Sequence, residues 1–151
     1  LKAGEILVDA GLVTEGQVLK ALEVQECMQN KRIGEFLVEK GILRERELFI
    51  ALAEQLRIPF VDLRRQKVPK KVLTMLPPEL VIELKVMPVA VRDEVLVVAA
   101  PDPDCASYLQ RIRAHAPRHS IEFVLAQPTH LKNVINVLFK KRMQKKRVRG
   151  R

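Results

Sequence analysis

Arg32 stands two residues before Gly34, and Leu37, Leu48 and Leu52 follow it. A planar guanidinium can stack on a purine and also reach O6 and N7 of guanine. A glycine at a helix start allows close backbone approach and leaves N–H groups facing outward, which suits an anion such as phosphate. The three leucines would offer an apolar floor. Thirty residues earlier the same pattern occurs as Lys2, Gly4, Leu7, Val18 and Leu22. Two such half-sites would suit a ligand that itself has two phosphates and two bases. A purely structural reading stands beside this one, in which two similar hairpins pack together and the glycines are turns and close contacts. It explains Gly11 and Gly41 well. It explains Gly4 and Gly34 poorly, because at a helix start no C-cap is needed and Gly costs about 1 kcal/mol against Ala.

These residues belong to an internal repeat. A shift of 30 aligns the first 25 residues with residues 31–55 without a gap. Gly4, Glu5, Leu7, Val8, Gly11, Glu15, Ala21, Leu22 and Gln25 meet Gly34, Glu35, Leu37, Val38, Gly41, Glu45, Ala51, Leu52 and Gln55. Each copy reads as a short helix, a tight turn and a longer helix. Gly11 and Gly41 fall where a left-handed residue ends a helix. Thr14 with Gln17 forms a capping box, flanked by Val13 and Val18 as a staple. In the second copy Arg44 replaces the capping Thr, so that helix is expected to start without a side-chain cap.

Beyond Pro59 the pattern changes. Residues 60–63 read as extended, and residues 70–75 and 78–84 as two short helices, the second opened by Pro. Residues 86–91 and 95–100 are Val-rich and separated by Arg92-Asp93-Glu94, which predicts a β-hairpin. Asp102 or Asp104 can cap a helix running to about Ala114. Residues 121–125 read as a third strand. Thr129 can cap a last helix with Leu131, Val134, Ile135 and Leu138 on one face. The fold expected is α+β. A tandem helical-hairpin bundle of about four helices (1–58) precedes a linker (59–84), a small ββαβα subdomain (85–139) and a basic tail (140–151).

The net charge of +9 belongs to that tail, whose eight cations account for all but one of it. Such blocks are usually solvated extensions, and attraction to an anionic membrane surface is the sharper reading. No apolar run reaches the roughly 18 residues of a membrane span. Cys27 and Cys105 form no CxxC or disulfide framework, which fits a reducing, cytoplasmic setting. The chain does not begin with Met and is expected to be a piece of a longer protein. There is no P-loop and no HExxH, and Pro117 separates His115 from His119. The three histidines are read as structural or solvated. No nucleophile stands near a base at a recognisable spacing, so no catalytic residues, metal or cofactor are expected. Aromatic–basic interleaving of the kind that binds single strands is absent, so nucleic acid is not an expected partner.

Arg32-Ile33-Gly34-Glu35-Phe36-Leu37-Val38-Glu39-Lys40-Gly41-Ile42-Leu43, followed by Leu48, Leu52 and Gln55, resembles a known repeated motif. It is that of the N-terminal domain of type II secretion and type IV pilus assembly ATPases. The form with two intact motifs is the MshEN domain, which binds cyclic di-GMP. The resemblance covers about residues 2–138. It implies a non-catalytic regulatory module with cyclic di-GMP as ligand. In the first copy the implied ligand residues are Lys2, Ala3, Gly4, Leu7, Gly11, Leu12, Val18, Leu22 and Gln25. In the second they are Arg32, Ile33, Gly34, Leu37, Gly41, Ile42, Leu48, Leu52 and Gln55. Lys2-Ala3-Gly4 stands where the motif has Arg-Leu-Gly, which keeps the charge and loses the flat stacking surface. The effector implied is a secretion or pilus ATPase, or a membrane glycosyltransferase that makes exopolysaccharide, with a site of action at the inner membrane. Some relatives have lost the motifs and only dock onto an inner-membrane protein, and that is the second reading.

Overall fold

The computed structural model describes residues 8–140. Lys2, Ala3, Gly4 and Leu7, and the basic tail beyond Lys140, lie outside the described residues. Val8 and Asp9 are helical, and Gly11 turns the chain at φ 72°. Thr14 then caps α1 (Glu15–Glu39) with the expected box. Its hydroxyl accepts from Gln17 N at 3.1 Å, and Gln17 Oε1 accepts from Thr14 N at 2.9 Å. Helix α1 corrects the expected hairpin layout. The second helix of the first copy and the first helix of the second copy are one continuous element of 25 residues. The junction, Gln25 to Lys31, holds no Gly or Pro, and its one capping residue type, Asn30, bonds Gln55 on α2 instead of ending a helix.

Gly41, at φ 75°, ends α1 and opens the turn to α2 (Glu45–Leu56), whose N-cap Arg44 makes no side-chain cap. Helix α2 closes on Arg57, which takes the left-handed conformation at φ 59° ahead of Pro59. Phe60 forms a parallel bridge to Leu125, and Val61 N donates to Leu125 O at 2.9 Å. The linker helices are α3 (Lys70–Leu73) and α4 (Pro78–Leu84).

The sheet has the order β1-β2-β3, from β1 (Met87–Arg92), β2 (Val95–Ala100) and β3 (Ser120–Leu125). Strands β1 and β2 are an antiparallel hairpin, while β2 and β3 are parallel. Asp93 and Glu94 both have positive φ, at 49° and 67°, as a two-residue turn between twisted strands requires. The parallel pair needs a crossover. It is supplied by a 3₁₀ turn (Cys105–Tyr108) and α5 (Leu109–His115). Asp102 accepts from Asp104 N at 3.0 Å in the loop ahead, and neither aspartate caps α5.

Helix α6 (Pro128–Ile135) is capped differently from the expectation. Gln127 is its N-cap and Pro128 opens it, while Thr129 lies in the first turn and donates to Glu45 Oε2 on α2 at 2.8 Å. A wider π turn over Asn136–Lys140 shifts the register that follows. Phe139, fully buried, therefore takes the core position after Leu131 and Ile135, and Leu138 is 37% exposed.

Two apolar clusters result. One joins the sheet, the linker helices and α6, around Val81, Leu96, Val98, Ile112 and Phe139. The other holds α1 against α2 through Cys27, Phe49, Leu52 and Ala53, and includes Leu125 at the end of β3.

Candidate functional site

Gly41 ends α1 by a paired capping pattern. Ile42 N donates to Leu37 O at 2.9 Å and Gly41 N to Val38 O at 3.0 Å, which satisfies the orphan carbonyls of the last turn. The repeat carries half of this pattern into the first copy, where Gly11 N donates to Val8 O at 2.9 Å.

Gly34 does not lie at a helix start. It is buried inside α1, so its N–H is committed to the helix rather than facing outward. The isobutyl group of Leu48 fills the space a Cβ at Gly34 would need. The glycine therefore permits close approach of α1 and α2. It is not the phosphate cradle expected of a helix start.

The continuous helix also changes which residues share a surface. Two positions on a helix are about 200° apart, so Arg32 points away from Gly34. Val18, Leu22, Gln25 and Arg32 follow one another at intervals of four, three and seven. They lie on one face of α1, which brings three first-copy residues together with the second-copy arginine. Arg32 and Gln25 are exposed, and Leu22 is 54% exposed. Ile33 and Ile42 are also exposed, and Leu37 is half-buried. Gly11 and Leu12 are exposed at the first turn.

In the second copy Leu48 and Leu52 are buried between α1 and α2, so they act as core rather than as open floor. Gln55 is exposed on α2, and its Oε1 accepts from Asn30 Nδ2 of α1 at 3.0 Å. That bond leaves the Gln55 amide group free to donate outward. Asn30 was not singled out in the sequence, because its only signal is a contact made in three dimensions.

Asp62 is a second feature invisible in the sequence. Its carboxylate receives Arg46 Nη1 from α2 at 2.9 Å, and Arg64 donates to it from both side chain and backbone N, the latter at 3.0 Å. His130 Nδ1 of α6 lies 3.8 Å away. The hydrogen bonds from Arg64, then that from Arg46, hold the Asp62 carboxyl down at about 2. A carboxyl with a lower pKa folded than unfolded stabilises the fold at neutral pH, and that contribution is lost as pH falls through the folded value. Asp62→Asn is expected to melt below the wild type at pH 7. The gap should close between about pH 4 and pH 2. Thermal melts across that range check it, and a gap independent of pH would remove Asp62 as its origin.

Both thiols are buried, a setting that disfavours the thiolate. Burial first, and the nearby Asp102 second, push Cys105 up to about 12 and raise Cys27 as well. On the other flank of α1 a cleft of about 540 Å³ opens towards the α/β half, lined by Lys31, Glu35, Glu39, Glu45, Lys85 and Asp102 among others. Among the described residues, Leu48 is the one expected site residue that reaches it. No described helix is long and apolar enough to cross a membrane.

The family model for the MshEN domain matches residues 56–145. The chain is 37% identical over 97 residues to the type IV pilus assembly ATPase PilB of Thermus thermophilus, covering 64% of this chain and 11% of that protein. It is 28% identical over 134 residues to PilB of Myxococcus xanthus, covering 89% of this chain and 23% of that protein. The chain thus spans about a tenth to a quarter of these relatives. The family match begins at Leu56, after the repeat, whereas the Myxococcus alignment is long enough to include most of it. Among solved structures, that of MshE with cdg has a TM-score of 0.61 at 24% identity, covering 90% of this chain and 97% of that one. The N-terminal domain of XpsE has a TM-score of 0.54 at 20% identity, covering 87% and 90%. At these identities the likeness is one of fold.

Proposed function

The chain belongs to the MshEN domain family, and from that premise we propose that it is a regulatory module that binds cyclic di-GMP across its tandem repeat. The observation that carries this reading is the exposed face of α1 on which Val18, Leu22 and Gln25 of the first copy meet Arg32 of the second. The likeness in fold to MshE, solved with cdg, supports the choice of ligand. In this reading Arg32 stacks on a guanine and offers its donors to O6 and N7. Leu22, Ile33 and Ile42 exclude water from the base. Gln55, held by Asn30, donates to a polar edge of the ligand. The two phosphates are met by side-chain cations, because the Gly34 N–H is used within the helix. Residues 1–58 carry the ligand, residues 59–84 link, and residues 85–139 support. The effector is the remainder of a longer protein, a pilus or secretion ATPase or a membrane glycosyltransferase. Ligand binding in the module would change how that effector docks.

Calorimetric titration of the full chain with cyclic di-GMP tests the reading, with GMP as competitor control. Saturable heat with cyclic di-GMP and none with GMP is the expected result. No heat at high micromolar ligand would overturn it and leave the docking module as the function.

The departure in the first copy gives a further expectation. Lys2 acts as a point charge and cannot stack as Arg does. Ala3 in place of Leu gives up apolar contact worth about 25 cal/mol per Å². Lys2→Arg combined with Ala3→Leu is expected to tighten cyclic di-GMP binding by about 1 kcal/mol, the scale of one improved charged contact. The same titration checks it, and an ordered double variant that binds no tighter would show that the first copy makes a different contact.

A further inference from the structure

Helix α1 carries a second pattern on its solvent side. Leu19 and Leu22 are 62% and 54% exposed, and Ile33 and Phe36 are 61% and 57% exposed. All four lie on one stripe at intervals that repeat every seven residues, roughly opposite the side that packs on α2 through Cys27 and Gly34. Exposed Glu26 and Gln29 occupy the same stripe between the two apolar pairs. Glu15 and Lys40 occupy it at the two ends of the helix.

This stripe is self-complementary under reversal. In an antiparallel pair centred between Cys27 and Met28, Leu19 of one copy meets Phe36 of the other. In the same register Leu22 meets Ile33, Glu26 meets Gln29, and Glu15 meets Lys40. Each apolar group thus finds an apolar group, the Gln29 amide finds a carboxylate, and an acid finds a base at both ends. We propose that the exposed stripe of α1 is an isologous interface, on which a second copy of this chain docks by antiparallel pairing of its own α1.

The symmetry of the pattern favours a second copy over other occupants. A foreign partner would not require charge and apolarity to invert onto themselves about the helix midpoint, whereas a two-fold interface does. An anionic membrane surface is disfavoured by Glu15 and Glu26 on the same stripe. The central polar layer reduces affinity but fixes register, since any slip would set Glu26 and Gln29 against apolar side chains. The stripe is about 37 Å long, from 25 residues at the helical rise. A pairing with four apolar groups per copy and a polar centre is of moderate strength, so it depends on concentration. Leu22 and Ile33 belong also to the candidate ligand surface, so ligand and second copy would compete there. In the absence of ligand the pairing needs no cyclic di-GMP site, so a null titration with cyclic di-GMP would leave the interface untouched.

Sedimentation equilibrium of the full chain over a wide concentration range is the test. The expected result is a reversible monomer–dimer equilibrium. Leu19→Glu, at an exposed position that leaves the fold intact by circular dichroism, should weaken it by about tenfold or more. Glu15→Lys and Lys40→Glu should each weaken it by setting like charges against each other. The two combined in one chain should restore it. Monomer mass at every concentration up to about 1 mM would overturn the proposal, as would a dimer indifferent to Leu19→Glu. Failure of the double charge exchange to restore a dimer that both single changes weaken would overturn the antiparallel register.

Discussion

Gly34→Ala is expected to lower the melting temperature of this chain, although Ala is the better helix former. The propensity gain is about 1 kcal/mol. Against it stands the Leu48 side chain, which occupies the space of the new Cβ and is itself only 6% exposed. To make room, Leu48 would have to turn out of the cluster it shares with Phe49, Leu52 and Cys27 towards the cleft it lines, and so give up core contact. Overpacking of this kind costs about 1–3 kcal/mol. The net change expected is a loss of up to about 2 kcal/mol, or a few degrees in a domain of this size. Gly16 is the internal control. It lies in the first turn of the same helix, and a Cβ there meets only Thr14 Oγ1 at 3.9 Å. Gly16→Ala should therefore stabilise by up to about 1 kcal/mol. Opposite signs for the two substitutions in thermal melts are the expected outcome. A stabilising Gly34→Ala would mean that α1 and α2 can separate freely, and that the glycine is not there for close approach.

Gly34 also shows how far the sequence could be read. The turn chemistry was legible because it is local. Thr14 with Gln17, the left-handed Gly11 and Gly41, and the charged turn at Asp93 and Glu94 each satisfy backbone groups within a few residues. The order of strands and helices after Pro59 was legible for the same reason. The repeat framing misplaced the helix boundary, because a period of thirty residues invites a break between copies. No Gly or Pro stands between Gln25 and Lys31, the side chain of Asn30 is taken by Gln55, and the helix runs through. Gly34 could not be interpreted without Leu48, which lies fourteen residues away on another helix. Asp62 gathers Arg46 from α2, Arg64 from the linker and His130 from α6, and no periodicity announces such a junction. Phe139 replaced Leu138 in the core because one wide turn added a residue, a local irregularity that helical spacing cannot foresee.

The candidate ligand surface depends most on Arg32, and Arg32→Ala is expected to have the largest effect on cyclic di-GMP affinity. The side chain is exposed on α1 and makes no ion pair or side-chain hydrogen bond within the described residues. Removing an exposed, uncommitted side chain should change stability by no more than about 0.5 kcal/mol. A guanidinium that contacts a guanine edge or a phosphate is a different matter. Losing such a contact costs about 1–3 kcal/mol, or about five- to 150-fold in affinity. Arg32→Lys separates the two parts of that contact, since lysine keeps the charge and loses both the planar stack and the paired donors. The expected order of affinity is wild type, then Arg32→Lys, then Arg32→Ala, with the three melting curves superimposed. Calorimetry with cyclic di-GMP and thermal melts on the same preparations provide both measurements. Equal affinity in all three would remove Arg32 from the site. Equal loss in both variants, with unchanged melts, would place the whole contribution in the stack and paired donors rather than in the charge.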